Sequence, residues 1–169
     1  TGINGTNISE ISSQYDNLFT PASYAFSIWG IIFFGLLVLG IFLVSQAYQK
    51  KNYQNIIPKV VPWLILANLG NSLWSYLFLT NNTGWSIVAM FTILISLIII
   101  IVKLDMERFD ADFPVIVYVW WPISLYAGWI TVAAIANVSA YLAKVGFDTI
   151  AFNDYQWTLI MIAVAGIIN

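Results

Sequence analysis

The sequence predicts an all-α membrane protein, a bundle of five transmembrane helices, on three observations. Of its 169 residues, 60% are hydrophobic and only 8% are charged, whereas a soluble domain carries roughly a quarter charged residues. The apolar residues also fall in long runs without charges. Because unpaired backbone groups are costly in hydrocarbon, such runs must be helical, and about 20 residues cover a bilayer core of about 30 Å.

The runs that can cross or enter a bilayer are residues 22–48, 58–80, 84–103, 114–142 and 155–169. The first four are long enough to span the hydrocarbon core completely. The last would reach only about 22 Å at the helical rise per residue. We therefore expect the fifth helix to be truncated here and to continue beyond Asn169.

Turn and capping residues mark the ends of these runs. Thr20 and Pro21 suit the N-cap and first helical position of the first helix, and Pro58 opens the second. The Asn-Asn-Thr-Gly stretch at 81–84 separates the second helix from the third. Pro122 lies inside the fourth run, where it removes a backbone hydrogen bond, so we expect a kink that opens space between helices.

Three segments follow from these boundaries. Residues 20–142 form a four-helix core, residues 1–19 precede it on the outer side, and residues 143–169 add an outer loop and the C-terminal helix. In the first segment, Asn7 and Glu10 have the spacing of a capping box, and apolar residues recur at helical spacing. A short helix at the membrane surface and an irregular loop packed on the bundle are equally consistent with this pattern.

The basic residues predict the orientation in the membrane. Loops 49–57 and 104–113, together with the helix ends beside them, carry most of the positive charge, whereas only Lys144 falls on the other side. By the positive-inside rule these two loops face the cytoplasm, and the N-terminal segment lies on the outer side. The basic residues of the cytoplasmic side are Lys50, Lys51, Lys59, Lys103 and Arg108.

Composition excludes most familiar catalytic sites. The chain has no His and no Cys, which removes imidazole and thiolate metal sites and Ser-His-Asp triads. None of the eight acidic residues lies in the centre of an apolar run, so the proton relays of pumps are not expected. The acidic loop from Asp105 to Asp112 could attract a divalent cation, although a solvated loop is the simpler interpretation. We expect a protein that is not an enzyme, requires no cofactor or metal and binds no nucleic acid.

The second helix carries a polar stripe on an otherwise apolar surface. Asn68, Asn71, Ser72 and Ser75 recur at the spacing of one helical face. In a membrane such side chains either hydrogen-bond to neighbouring helices or contact a ligand. Both interpretations fit the pattern equally well.

Several aromatic rings lie too deep in the helices for an interfacial position. Trp29, Asn71, Trp74 and Asn137 fall in one layer, within roughly 8–14 Å of the outer surface. A ring-lined site with a few amides would suit a flat hydrophobic ligand, although plain core packing is equally consistent. The tryptophans nearer the ends of the runs instead fit an interfacial belt: Trp63, Trp85, Trp120, Trp121 and Trp157.

Three motifs occur in order along the core. TPASYAFSIWGIIFF at 20–34 is a proline-containing helix entry with two aromatic residues one helical turn apart. NSLWSYLF at 71–78 has the pattern Asn-x-x-Trp-x-x-x-Phe, and WITVAAIAN at 129–137 ends in an amide eight residues after its Trp. Together they resemble the motifs of the tryptophan-rich sensory protein family, also called the TspO/MBR or translocator protein family.

The resemblance implies a TspO/MBR-like bundle that binds a porphyrin or another tetrapyrrole, a sterol-like lipid or a similar lipophilic molecule, in a sensory or transport role. It also implies contact with membrane lipids and often a homodimer. A structural or accessory subunit of a larger membrane complex is the alternative, and an enzyme that degrades bound porphyrin is the least favoured. Matched motif by motif, the expected ligand-binding residues are Trp29, Phe33, Asn71, Trp74, Phe78, Trp129, Ala133 and Asn137.

The end of the fourth helix carries one further pattern. Val138, Tyr141 and Lys144 match a loose cholesterol-recognition motif that is frequent by chance. We favour interfacial anchoring by Tyr141 and Lys144 over sterol binding.

Overall fold

The computed structural model describes residues 23–49, 53–106, 108, 110–146 and 163. Within these residues the regular structure is helical throughout, and four helices are long and apolar enough to cross a membrane. The predicted all-α membrane fold is confirmed. Its long helices are α1 (Ile28–Gln49), α2 (Ile57–Leu79), α3 (Thr83–Lys103) and α4 (Trp121–Lys144).

The helix count differs from the prediction, because the described part of the chain contains four long helices where five were expected. The run 155–169 lies outside the described residues apart from Ala163, which is helical. The expected surface helix in 1–19, the cap at Thr20 and Pro21, and Trp157 also lie outside them. These features stay predictions.

The boundaries of the second and third helices agree closely with the sequence signals. A short 3-10 turn, Gln54–Ile56, leads into α2, whose first turn contains Pro58. After α2 the chain reverses at Asn81, which adopts a left-handed conformation with φ 62°, a conformation that asparagine tolerates better than most residues. α3 then begins at Thr83, so α2 and α3 form an antiparallel hairpin.

The helix containing Pro122 is interrupted just before the proline. Ile116–Trp120 form a π-helical turn, and Pro122 lies in the first turn of α4. A wide turn accommodates a residue that has no amide proton and whose ring crowds the preceding turn. Contrary to the expectation of opened space, α1 approaches closely here: a Cβ atom added at Gly35 would lie 3.4 Å from Pro122 Cβ.

The helices are not equally well packed. α2 and α3 pack most extensively and α3 packs on α4, whereas α1 rests mainly on α4 and the π-helical turn. The buried share of the most apolar stretch is 22% in both the α1 and α2 spans and 50% in the α4 span, but α2 has the extensive contact with α3 that α1 lacks. α1 is therefore the most loosely held of the four helices.

Candidate ligand-binding site

Aromatic side chains from α1, α2 and α4 meet in one cluster. The Trp29 ring of α1 stacks on the Trp74 ring of α2 with 6.2 Å between centroids, and it meets Trp129 of α4 edge-on at 6.4 Å. Four further ring pairs, two within one helix and two between helices, have centroid distances of 5.4 to 6.2 Å. One of them involves Phe26, in the 3-10 helix Ser23–Ser27 that precedes α1. We call it the aromatic seam; it comprises Phe26, Trp29, Phe33, Trp74, Phe78, Tyr126 and Trp129.

Helical spacing and the antiparallel arrangement bring these rings together. Trp29 and Phe33 lie four residues apart on α1, as do Trp74 and Phe78 on α2, so each pair occupies one helix face. The start of α1 lies at the same level as the second half of α2. The backbones of α1 and α2 scarcely approach each other, so the rings span the distance between them.

The aromatic seam contains buried polar atoms without partners. Among the described residues, the indole Nε1 atoms of Trp29, Trp74 and Trp129 and the Tyr126 hydroxyl are buried and have no hydrogen-bond partner. The same holds for Oδ1 of Asn71, which lies three residues before Trp74 on α2. An unsatisfied buried polar atom costs about 1–3 kcal/mol. The aromatic seam thus holds four unpaired groups that can donate a hydrogen bond, and Asn71 adds an unpaired acceptor beside it in the sequence of α2.

The polar stripe of α2 forms no hydrogen bonds to other helices within the described residues. Asn68 Nδ2 donates to the Leu64 carbonyl oxygen at 2.8 Å, and Ser72 Oγ donates to the Asn68 carbonyl oxygen at 3.1 Å. Both bonds stay within α2. Of the two interpretations of the stripe, interhelical hydrogen bonding thus has no contact to support it.

Asn137 makes its hydrogen bond to α3. Its Oδ1 lies 3.1 Å from Ser86 Oγ of α3, and the same hydroxyl lies 2.7 Å from the Thr83 carbonyl oxygen. Both amide and hydroxyl are buried. Asn137 therefore joins α3 to α4, while the half-buried Ala133 lies one turn from Trp129 on α4.

Of the predicted binding residues, the structure brings Trp29, Phe33, Trp74, Phe78 and Trp129 into one cluster. The sequence prediction of the site omitted two members of this cluster. Phe26 and Tyr126 each lie three residues before a clustered tryptophan, and that helical spacing is the signal that could have identified them. The ligand-binding role of all these residues stays a prediction.

The tryptophans assigned to an interfacial belt divide into two groups. Trp85 and Trp121 are exposed, and Trp63 is half-buried. Trp120, however, is only 7% exposed and departs from the prediction. The fourth span begins at Phe113, which places Trp120 about 10 Å inside it, where it faces the core.

The two ends of the bundle are tied by different polar contacts. At one end the Lys144 ammonium donates to the Asn81 carbonyl oxygen and, at 2.9 Å, to its Oδ1. At the other end Tyr53 Oη donates to Asp112 Oδ2 at 2.8 Å. This hydrogen bond and the carboxylate charge raise the pKa of Tyr53. Loops 49–57 and 104–113 thus lie at one end of the bundle and the 81–84 turn lies at the other, as expected. Which end faces the cytoplasm stays a prediction.

Tyr141 and Lys144 contact the protein itself. A Cβ atom added at Gly84 would lie 3.4 Å from the Tyr141 ring, and Lys144 binds Asn81. Both side chains therefore join the end of α4 to the α2–α3 turn. The sterol and interfacial interpretations of these residues stay untested predictions.

The acidic loop shows no arrangement typical of a metal site. No group of three or more potential ligands occurs among the residues that the structure describes. Asp105 lies 3.8 Å from Arg108 as an exposed ion pair, and Asp112 accepts the bond from Tyr53. These contacts agree with a solvated loop.

Comparison with known proteins identifies the family. The sequence matches the family described as TSPO-like protein over residues 1–169, the whole chain. No curated protein and no solved structure matches it. With this match and four apolar helices long enough to span a membrane, the chain belongs to the TSPO-like family and is a multi-pass integral membrane protein.

Proposed function

We propose that this protein is a non-enzymatic membrane protein that binds a flat lipophilic ligand in the aromatic seam, in a sensory or transport role. One observation carries the proposal: the aromatic seam contains four buried polar atoms without hydrogen-bond partners, and a fifth, Asn71 Oδ1, lies one helical turn from Trp74 on α2. Plain core packing would leave these atoms at a net cost. A ligand that supplies hydrogen-bond acceptors would remove that cost.

The polar atoms favour one class of ligand. Donors outnumber acceptors among these unpaired atoms, since three indole N–H groups and the Tyr126 hydroxyl can donate, whereas only Asn71 Oδ1 and the Tyr126 hydroxyl can accept. A sterol carries a single hydroxyl and offers little acceptor capacity. A dicarboxylic porphyrin offers several acceptor oxygens and a broad flat face that can stack on indole rings. A porphyrin or a similar acceptor-bearing tetrapyrrole is thus the favoured ligand.

Entry of such a ligand requires the rings to separate. Trp29 and Trp74 stack on each other, so a planar molecule must displace one of them. α1 packs less extensively on its neighbours than the other long helices do, and it scarcely contacts the α2 backbone. We therefore expect ligand binding to shift the first half of α1 away from α2, while the contact of Gly35 with Pro122 holds its middle.

The test is a titration of the purified protein with protoporphyrin, followed by the absorption band of the porphyrin. This readout does not depend on the number of tryptophans in each variant. The proposal predicts saturable binding that Trp74→Ala and Trp129→Ala weaken strongly. Trp121→Ala is the matched control, because Trp121 is exposed on α4 and lies outside the seam.

Two results would contradict the proposal. The first is that the folded Trp74→Ala and Trp129→Ala variants bind protoporphyrin as tightly as the native protein. The ligand would then bind elsewhere. The second is the lack of saturable binding in native protein together with a partner that copurifies stoichiometrically in mild detergent. That result would favour an accessory subunit of a larger complex.

A further inference from the structure

Two lysines flank one tryptophan at the end of the α2–α3 hairpin. Lys59 lies in the first turn of α2 and Lys103 in the last turn of α3. The Lys103 ammonium lies 5.5 Å from the centroid of the Trp63 ring, a cation–π distance. Lys59 precedes Trp63 by four residues, so the two side chains share one face of α2.

Among the described residues, neither lysine of this pair forms an ion pair with a carboxylate. Within the described part of the chain the ion pair present joins Arg108 to Asp105, and neither Lys59 nor Lys103 has a carboxylate oxygen within 4 Å. Both lysine side chains are exposed. Asp112, at the same end of the bundle, is engaged by the Tyr53 hydroxyl. An anion could thus approach both ammonium groups.

The surroundings fit the depth of a lipid headgroup. Both lysines stand at the very ends of membrane-spanning helices, which is the level of the lipid phosphates, and a half-buried tryptophan beside them is typical of that interface. Exposed apolar side chains of the same two helices adjoin the lysines: Leu66 lies about two turns deeper than Lys59 on α2, and Val102 lies next to Lys103 on α3. These offer a surface for an acyl chain.

We propose that Lys59, Trp63 and Lys103 form a binding site for the phosphate of an anionic membrane phospholipid. The two ammonium groups bind the phosphate oxygens, and the indole contacts the glycerol region. The adjoining α2–α3 surface carries the acyl chains. A zwitterionic lipid also has a phosphate, but its own ammonium group cancels the charge, so the site discriminates in favour of anionic lipids. The site lies outside the aromatic seam and is independent of the porphyrin proposal.

Native mass spectrometry in mild detergent tests this site, with phosphatidylglycerol and phosphatidylcholine of matched chains added in turn. The native protein should retain phosphatidylglycerol in preference to phosphatidylcholine. Since each lysine near a membrane surface contributes about fivefold in affinity, Lys59→Gln with Lys103→Gln should reduce the preference about 25-fold. Lys59→Arg with Lys103→Arg should keep it, because the charge remains.

Two controls distinguish this site from attraction to any exposed lysine and from binding of free phosphate. Lys144→Gln removes a lysine at the opposite end of the bundle and should leave the preference unchanged. Excess inorganic phosphate should not displace the lipid, because the apolar contacts add to its affinity. Equal binding of both lipids by the native protein, a preference that survives the Gln variants, or displacement by free phosphate would each overturn the proposal.

Discussion

The two sides of α2 pack against their neighbours in different ways. Toward α3, small residues allow close backbone approach: Gly70 lies so near Ile93 that an added Cβ atom would be 3.0 Å from its Cγ1. Toward α1, the backbones stay apart and large rings such as Trp29 and Trp74 span the distance. On the far side of this contact, Ser86 of α3 hydrogen-bonds to Asn137 of α4. The buried indole and phenol groups of the aromatic seam, in contrast, lack partners.

This difference separates packing that holds helices together from packing that leaves polar atoms unpaired. Lipid tails are as apolar as side chains, so helices associate in membranes through close packing and interhelical hydrogen bonds. α2 and α3 associate through close packing, and α3 and α4 are joined by an interhelical hydrogen bond. The aromatic seam has large rings and unpaired donors, an arrangement that does not maximise stability and that a ligand could complete.

A large side chain at Gly70, in the close contact between α2 and α3, should have the greatest effect on stability. Gly70→Leu should lower the free energy of unfolding by about 1–3 kcal/mol or more, because its side chain must displace Ile93 or the helix backbone. Gly40→Leu on α1 is the matched control, since nothing lies within 4 Å of a Cβ atom there. Unfolding in mixed micelles measures both. Equal stability of the two variants would refute the close packing.

Two asparagines should respond in opposite directions. Asn137→Leu removes the acceptor on α4 and leaves Ser86 only the Thr83 carbonyl oxygen, while it also removes the unpaired Asn137 Nδ2, so it should lower the free energy of unfolding by at most about 1 kcal/mol. Asn71→Leu removes an unpaired buried oxygen, so the ligand-free protein should be as stable as the native one or more stable. The same unfolding measurement compares them. A larger loss of unfolding free energy for Asn71→Leu than for Asn137→Leu would contradict this prediction, because it would show that Asn71 stabilises the fold.

A single donor of the aromatic seam can be removed while its ring is kept. Trp74→Phe retains a ring that can stack but lacks the indole N–H, so it should leave the stability nearly unchanged. Its loss of one hydrogen bond should weaken protoporphyrin binding about threefold to tenfold. Porphyrin absorption gives the dissociation constant, and Trp85→Phe, at an exposed position, is the control. Weaker folding with unchanged binding would assign Trp74 a purely structural role.

The smallest effect concerns the polar contact between loops at the other end. Asp112→Asn removes the charge that raises the pKa of Tyr53, so Tyr53 should ionise at lower pH in the variant. A raised folded pKa means that the contact stabilises the fold below the ordinary tyrosine pKa of about 10 and is lost as pH rises through the raised value. Ultraviolet titration measures this, with Tyr53→Phe identifying the signal. An unchanged titration would exclude the interaction.

The architecture could be predicted from sequence because apolar runs and turn residues act locally. Pro58 and the chain reversal at Asn81 fix helix ends through backbone preferences that need no tertiary information. The fifth helix stays a prediction, because residues 155–169 lie outside the described ones apart from Ala163. Trp120 was misplaced because position along the run gives its depth but not the rotation of the helix, which turns Trp120 toward the core and leaves its neighbour Trp121 exposed.

Membership of the site was harder to predict than the fold. Helical spacing identified the faces that carry Trp29, Trp74 and Trp129, but spacing gives only a direction within one helix. It cannot show that Asn137 bonds to Ser86 of α3, since that contact depends on how α4 is rotated against its neighbours. Family motifs group Asn137 with the site for the same reason: they record sequence position and not the partner of each side chain.

In the proposed complex, the ligand contacts the buried indole groups of the aromatic seam. The most direct measurement follows the indole N–H signals in a two-dimensional proton–nitrogen NMR spectrum as protoporphyrin is added. If the ligand binds in the aromatic seam, the signals of Trp29, Trp74 and Trp129 should shift. The signals of the exposed Trp85 and Trp121 should stay unchanged. Shifts confined to the exposed tryptophans, or equal shifts of all signals, would contradict it.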